Sequence, residues 1–296
     1  MTLNRHRQRL QSVVEGVYDR FLELIIYPSV WVALALASLG IYAQTALGLT
    51  NDWQPILLIF FTALIPYNLD RIFDSYIQKI PDDKAQLFFR QPFVLILLFG
   101  AIAGAAFLLY SAPQGVRYVS LAGIFPLLYG APVFPSKRSE WHWYRLKDIP
   151  GSKAWIVGLI ITYAVVALPL AYGGVGLDAN AVLITLFLFV FIVTNSHIFD
   201  IRDLESDRQK GVVTLPILID VSGTKWLLSA MNLSVMLVPL FLRHSEIAFH
   251  LEIILATAVN ILYVALVNTN TPRWVYNILI ESCLFIPFLY QWAIAS

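Results

Sequence analysis

The chain has 296 residues, of which 58% are hydrophobic and only 13% are charged, and its net charge is +1. Soluble chains carry about 45–50% apolar and about 25% charged residues, so this composition excludes a water-soluble globule and requires lipid as part of the solvent. The near-neutral charge gives no reason to expect a nucleic-acid partner, and the single cysteine, Cys283, excludes an internal disulfide.

Apolar stretches long enough to cross a bilayer recur along the whole chain. A transmembrane helix needs about 20 mainly apolar residues. Nine stretches are predicted as spans, namely 24–46, 54–74, 92–111, 115–134, 151–172, 180–200, 225–242, 247–267 and 274–294. Turn-forming or charged residues separate them, and no long linker interrupts them. We therefore expect one domain over residues 1–296, an all-α polytopic membrane bundle of about nine transmembrane helices.

Lysine and arginine are concentrated at the N-terminus and in every second connection between these spans. The alternate connections carry only Arg117 and Arg243. Because positively charged connections stay on the cytoplasmic side of a membrane, this asymmetry predicts a cytoplasmic N-terminus.

Two acidic clusters lie where the second and sixth spans end, on the face predicted to be cytoplasmic. Their aspartates are Asp70 and Asp74 in the first cluster, and Asp200, Asp203 and Asp207 in the second. The spacings i, i+4 and i, i+3, i+7 put each set on one face of a helix. Carboxylates stacked in this way repel one another, and a divalent cation removes that penalty. Carboxylate oxygens suit Mg²⁺, which is usually shared with substrate phosphates.

Basic residues accompany both clusters and would take up the remaining charge of a bound diphosphate. They are Arg71, Arg202, Arg208 and Lys210. In an alternative interpretation the aspartates only mark helix ends in the hydrated headgroup layer. Ionisable residues at membrane depth are functional candidates by default, and this favours a metal and diphosphate site.

The second cluster resembles a known family motif. Residues 200–216 read DIRDLESDRQKGVVTLP, which is similar to the second aspartate motif of the UbiA superfamily of intramembrane prenyltransferases, DxxDxxxD followed by GxxTLP. The first cluster matches only the final DxxxD of that family's first motif, NDxxDxxxD. Pro66 stands where the asparagine is usual, Asn68 lies two residues later, and one carboxylate of the usual set is missing.

The resemblance implies a UbiA-like domain in which five aspartates bind Mg²⁺ and carry catalysis: Asp70, Asp74, Asp200, Asp203 and Asp207. It also suggests contacts to the diphosphate of the substrate from Asn68, Arg71, Lys153, Arg208 and Lys210. Lys153 matches the family's habit of placing a basic residue at the start of the fifth span. A lysine that only anchors the span by reaching to the interface is the alternative.

The implied activity is Mg²⁺-dependent transfer of an isoprenyl group from a prenyl diphosphate to a lipid-soluble, aromatic acceptor. Because the first motif is altered, a UbiA-type cyclase that makes a cyclic terpene is an alternative. A transporter is a further alternative, since Asn195, His197 and Glu281 lie within predicted spans. Transporter sites lie near the midplane, whereas the aspartates lie at one face. For Asn195 and His197 an interhelical hydrogen bond is the simpler expectation.

Overall fold

The computed structural model describes residues 18–77, 83–129, 134–136, 142–144, 149–209, 211–241 and 248–295, without the side chains of a few residues that border the gaps. Within these ranges the chain is helical apart from one small antiparallel hairpin, Phe134–Ser136 paired with His142–Tyr144. The all-α fold class predicted from the sequence is therefore confirmed.

The helices follow one another in the following order. They are α1 (Tyr18–Ile26), α2 (Val30–Ala46), α3 (Trp53–Ile77), α4 (Asp83–Phe89), α5 (Pro92–Ser111), α6 (Gln114–Ser120), α7 (Ile124–Tyr129), α8 (Lys153–Gly173), α9 (Ala179–Arg202), α10 (Leu204–Gln209), α11 (Leu215–Leu218), α12 (Asp220–Phe241) and α13 (Ala248–Leu266). The last span, Val275–Ile294, starts with a π-helical segment, Val275–Ile280, and ends in α14, Ile286–Ala295.

Six of the described helices are long and apolar enough to cross a membrane, and the bent pair α1–α2 would make a seventh span. The predicted count of nine is not confirmed. The fourth predicted span is interrupted by a 3-10 turn at Leu121–Gly123, which separates two short helices. The eighth predicted span supplies only a short apolar helix, Leu251–Leu266, within the described residues.

A sharp bend separates α1 from α2, and a side chain of α3 forms a hydrogen bond to it. The two helices meet at 58°, and Ser29 between them has a left-handed φ of 58°. The buried Asn68 side chain donates hydrogen bonds to the carbonyl of Pro28 at 2.9 Å and to that of Leu64 at 2.8 Å. This amide therefore connects the bend to α3, two residues after the helix-internal Pro66.

Helix α9 is the centre of the bundle. It is 61% buried inside the protein, a larger share than in any other candidate span of the described residues. Against α8 the contact is close: a Cβ added at Gly158 would lie 2.2 Å from the side chain of Val193. On its other side Asn232 of α12 donates to Thr194 Oγ1 at 2.7 Å and accepts a hydrogen bond from Asn260 of α13. Helix α9, including its C-terminal end, is thus held tightly by its neighbours.

Candidate active site

The end of α9 and the short helix α10 carry the second acidic cluster. Asp200 lies in the last turn of α9 and is 2% exposed, Asp203 is the C-cap residue, and Asp207 lies in α10 and is 6% exposed. The backbone N–H of Asp207 donates to the carbonyl of Asp203 at 2.8 Å, so helical spacing continues across the junction. Buried carboxylates need cations or hydrogen-bond donors around them.

Lys153, the first residue of α8, supplies a cation to two of these carboxylates. Its Nζ lies 3.3 Å from Asp200 Oδ1 and 3.2 Å from Asp207 Oδ2, to which it donates a hydrogen bond. Asp200 and Asp207 therefore face the same point in space, as their spacing predicted. The ammonium group is directed into the cluster, which does not favour the interpretation of Lys153 as a simple membrane anchor.

Asp203 has a different partner. Arg202 donates two hydrogen bonds to its carboxylate, at 2.8 and 2.6 Å, and a third to Asn277 Oδ1 at 2.8 Å. Burial alone would raise the pKa of Asp203, but the hydrogen bonds and charge of Arg202 outweigh it and hold the pKa below its usual range. For Asp207 burial prevails over the attraction of Lys153, and its pKa is raised. The aspartates of one motif thus have distinct electrostatic environments.

The end of α3 brings Arg71 close to the second acidic cluster. The Arg71 guanidinium lies 5.9 Å from the centre of the Phe89 ring of α4. It also interacts electrostatically with Asp70 on its own helix, with Asp203 of the second cluster and with Glu281 of the last span. Arg71, next to the first cluster in sequence, therefore lies within electrostatic range of Asp203 in the second.

The other predicted site residues are placed as follows. The Asn68 amide donates to the carbonyls of Pro28 and Leu64, as described above, and its contact with a diphosphate stays a prediction. The Arg208 side chain is 62% exposed and lies 3.9 Å from Glu205. Asp74 lies on α3, but its side chain is outside the described part of the structure, as is Lys210.

Comparison with known proteins decides the family. The sequence pattern of the UbiA prenyltransferase family matches residues 90–276, which is more than half of the chain. The chain belongs to the UbiA prenyltransferase family. The family named from the second aspartate motif is thereby confirmed, and with it the interpretation as a multi-pass membrane prenyltransferase.

Individual relatives agree with this assignment. The chain is 26% identical to the digeranylgeranylglyceryl phosphate synthase of Sulfolobus acidocaldarius, over 84% of this chain and 88% of that protein. The solved structure of a UbiA homolog from Archaeoglobus fulgidus bound to GPP and Mg²⁺ is 15% identical, with a TM-score of 0.63, and the match covers 93% of this chain and 98% of that one. The apo structure of a UbiA homolog from Aeropyrum pernix also has a TM-score of 0.63, at 14% identity over 92% and 98% of the two chains.

The matches differ in how much of the chain they include. The family match begins at residue 90, after the first acidic cluster. The structural matches cover 93% and 92% of the chain, so the fold that they share extends over nearly its whole length.

The donor set of the second cluster fits the Mg²⁺ that the UbiA family implies. Carboxylate oxygens are the preferred ligands of this cation, and Asp200 and Asp207 converge on one positive charge. Asp200 Oδ2 is buried without a hydrogen-bond partner among the described residues. No group of three or more metal-ligating side chains is assembled within the described ranges, where Lys153 and Arg202 instead compensate the carboxylates.

Three further residues border the site, and for His197 the sequence favoured an interhelical hydrogen bond over a role that orients the acceptor. Asn277 accepts from Arg202, Glu281 interacts electrostatically with Arg71 and Arg202, and His197 contacts Asp200. Asn277 lies in the π-helical segment of the last span, and Glu281 directly follows that segment. The sequence carries no pattern that predicts such a segment. For Asn195 the expected interhelical bond is present, donated to the carbonyl of Ile280 at 3.2 Å.

Proposed function

We propose that the chain transfers a prenyl group from a prenyl diphosphate to a lipid-soluble acceptor at the end of α9, in a site that binds Mg²⁺. The observation that carries this proposal is the convergence of Asp200, Asp207 and Lys153 beside the end of α3. Buried carboxylates that pair with the ammonium group of Lys153 are suited to binding a metal-bound diphosphate. The solved Archaeoglobus fulgidus homolog was bound to GPP and Mg²⁺, which supports the same choice of donor.

We assign the roles of the side chains as follows. Asp200 and Asp207 hold the cation, with Asp70, Asp74 and Asp203 as further candidates from the two motifs. Lys153 and Arg71 bind the diphosphate, Arg208 attracts it, and Lys210, outside the described residues, is a further candidate from the motif. Bound Mg²⁺ stabilises negative charge on the departing oxygens. The allylic C–O bond breaks with its electron pair going to the diphosphate, a bond to the acceptor forms, and the acceptor loses a proton.

An apolar groove of about 660 Å³ lies between α2, α3 and the last span, and its walls include Trp31, Phe60 and Phe285. Ser282, also in its wall, is the residue after Glu281, and Glu281 interacts electrostatically with Arg71 and Arg202. We propose that an isoprenyl chain lies along it, sheltered from water, while the diphosphate binds at the aspartates.

The chemical identity of the acceptor is the most specific part of the proposal. An aromatic acceptor is the expectation from the family resemblance, whereas the curated relative is named for a product built on a glyceryl phosphate. Both are lipid-soluble nucleophiles, and the same donor site serves either. The altered first cluster keeps the cyclase, in which a double bond of the prenyl chain is the nucleophile, as the alternative reaction.

A product analysis separates these reactions. Purified protein is incubated with Mg²⁺ and geranyl or geranylgeranyl diphosphate, with an aromatic acid, with a prenylated glyceryl phosphate, or without acceptor. Lipid extracts are then analysed by mass spectrometry. A prenylated acceptor formed only with metal supports the transferase and identifies the acceptor class. A cyclic hydrocarbon in the acceptor-free sample would establish the cyclase, and no metal-dependent consumption of any diphosphate would refute the proposed donor chemistry.

We further propose that the site faces the cytoplasm, on the distribution of lysine and arginine along the chain. Glu205 lies next to the site and its side chain is 73% exposed. A Glu205→Cys variant in a Cys283→Ser background should react with an impermeant thiol reagent only in inverted membrane vesicles. Labelling from the outside of intact cells would contradict this orientation.

A further inference from the structure

His197 lies one turn before Asp200 on α9 and is fully buried, with 0% of its surface exposed. Its Nδ1 is 3.4 Å from Asp200 Oδ2. On its other side the ring meets Trp155 of α8 edge to face, with 5.0 Å between the ring centroids. Trp155 is only two residues after Lys153, so the histidine lies between α8, which carries Lys153, and α9, which carries Asp200.

The buried polar atoms of this pair have nothing else to bind. Neither ring nitrogen of His197 nor Asp200 Oδ2 has a hydrogen-bond partner among the described residues. Leaving a buried donor or acceptor unpaired is unfavourable. The observed separation is a few tenths of an ångström longer than a typical N–H···O hydrogen bond, so the two groups are close enough to pair once they approach and align.

The two oxygens of Asp200 thus have separate neighbours. Oδ1 faces Lys153 at 3.3 Å, and Oδ2 faces His197 at 3.4 Å. We propose that His197 is a positioning residue that donates its Nδ1–H to Oδ2 and thereby turns Oδ1 toward the cation of the active site. This inference rests on the proposed function and adds a residue to it. Partners of this kind orient the ligands of a metal and tune its affinity without touching it.

Two substitutions distinguish this role from simple packing. Asparagine keeps an N–H donor close to the position of Nδ1, whereas leucine removes the donor and keeps the side chain apolar and of similar bulk. We expect His197→Leu to weaken Mn²⁺ binding by about 10- to 100-fold, the range found for such partners of metal ligands. His197→Asn should stay close to the wild type.

The measurement is titration of purified full-length protein with Mn²⁺, with free Mn²⁺ followed by electron paramagnetic resonance and no prenyl diphosphate present. The Mg²⁺ concentration for half-maximal turnover should rise in His197→Leu, while kcat at saturating Mg²⁺ changes little. Two results would overturn the role of His197 and leave the metal site standing. One is equal Mn²⁺ affinity in the wild type and His197→Leu. The other is an Mn²⁺ affinity in His197→Asn as low as that of His197→Leu. Absence of Mn²⁺ binding by the wild type, measured against Asp200→Asn, would overturn the proposed metal site as well.

Discussion

Replacing Lys153 with methionine tests whether its ammonium group holds the carboxylate cluster together before substrate arrives. The group lies 3.3 Å from Asp200 and 3.2 Å from Asp207, and the three side chains are 29%, 3% and 9% exposed. At these distances each pair attracts by about 5 kcal/mol at an effective dielectric constant of about 20, before desolvation is subtracted. Removing one partner of a buried ion pair costs about 3–5 kcal/mol, because the other charge is left uncompensated.

We therefore expect the metal-free Lys153→Met protein to lose about 3 kcal/mol of stability. Mn²⁺ should recover most of that loss, because it replaces the missing charge. Without a competing ammonium group, Mn²⁺ alone should bind at least about tenfold more tightly than to the wild type, which corresponds to 1.4 kcal/mol. Turnover should fall, because the diphosphate loses a cationic contact.

Thermal unfolding in detergent, with and without Mn²⁺, and Mn²⁺ titration measure these changes. Lys84→Met is the matched control, because Lys84 pairs with Asp19 at 2.8 Å on the surface, where both side chains are largely exposed. Such exposed pairs contribute about 0–1 kcal/mol. If Lys153→Met is as stable as this control and binds Mn²⁺ no better than the wild type, Lys153 is not the counterion of the cluster.

Two further predictions concern how α9 is held in place. Gly158→Ala should destabilise the protein by about 1–3 kcal/mol and lower its activity, because the added Cβ would meet the Val193 side chain at 2.2 Å, whereas Gly100→Ala, with open space around the glycine, should change neither. Asn232→Leu should lower thermal stability by about 1–3 kcal/mol, because it removes the buried hydrogen bond to Thr194. Its Mn²⁺ affinity should stay at the wild-type value, and a loss of affinity equal to that of an aspartate variant would show that this network belongs to the site.

Much of the second cluster followed from the sequence, because its geometry is local. The spacing of Asp200 and Asp207 on a helix is enough to place them on one face, and both reach Lys153. The second aspartate motif was also sufficient to name the family. The hydrogen bond from Asn68 to the carbonyl of Pro28 could not be predicted from the sequence, because the two residues lie 40 positions apart in the chain.

Features that depend on breaks in helices were the least predictable. Hydropathy does not reveal the left-handed residue Ser29 between α1 and α2 or the 3-10 turn at Leu121–Gly123, and both interrupt stretches that were predicted as continuous spans. The π-helical segment Val275–Ile280 precedes Glu281 and contains Asn277. The contact between Asn277 and Arg202 results from tertiary packing, and the periodicity of the sequence does not predict it.

The central claim is that a prenyl diphosphate is consumed at the cluster formed by Asp200, Asp207 and Lys153. The most direct test is metal-dependent release of diphosphate from a prenyl diphosphate by Asp207→Asn, with Glu205→Gln as the control, since Glu205 lies on the same short helix and is exposed. We expect Asp207→Asn to lose about 100-fold or more of the rate, the scale for removing one group that stabilises transition-state charge, and the control to retain it. Wild-type rates in a folded Asp207→Asn protein would contradict this location of the active site.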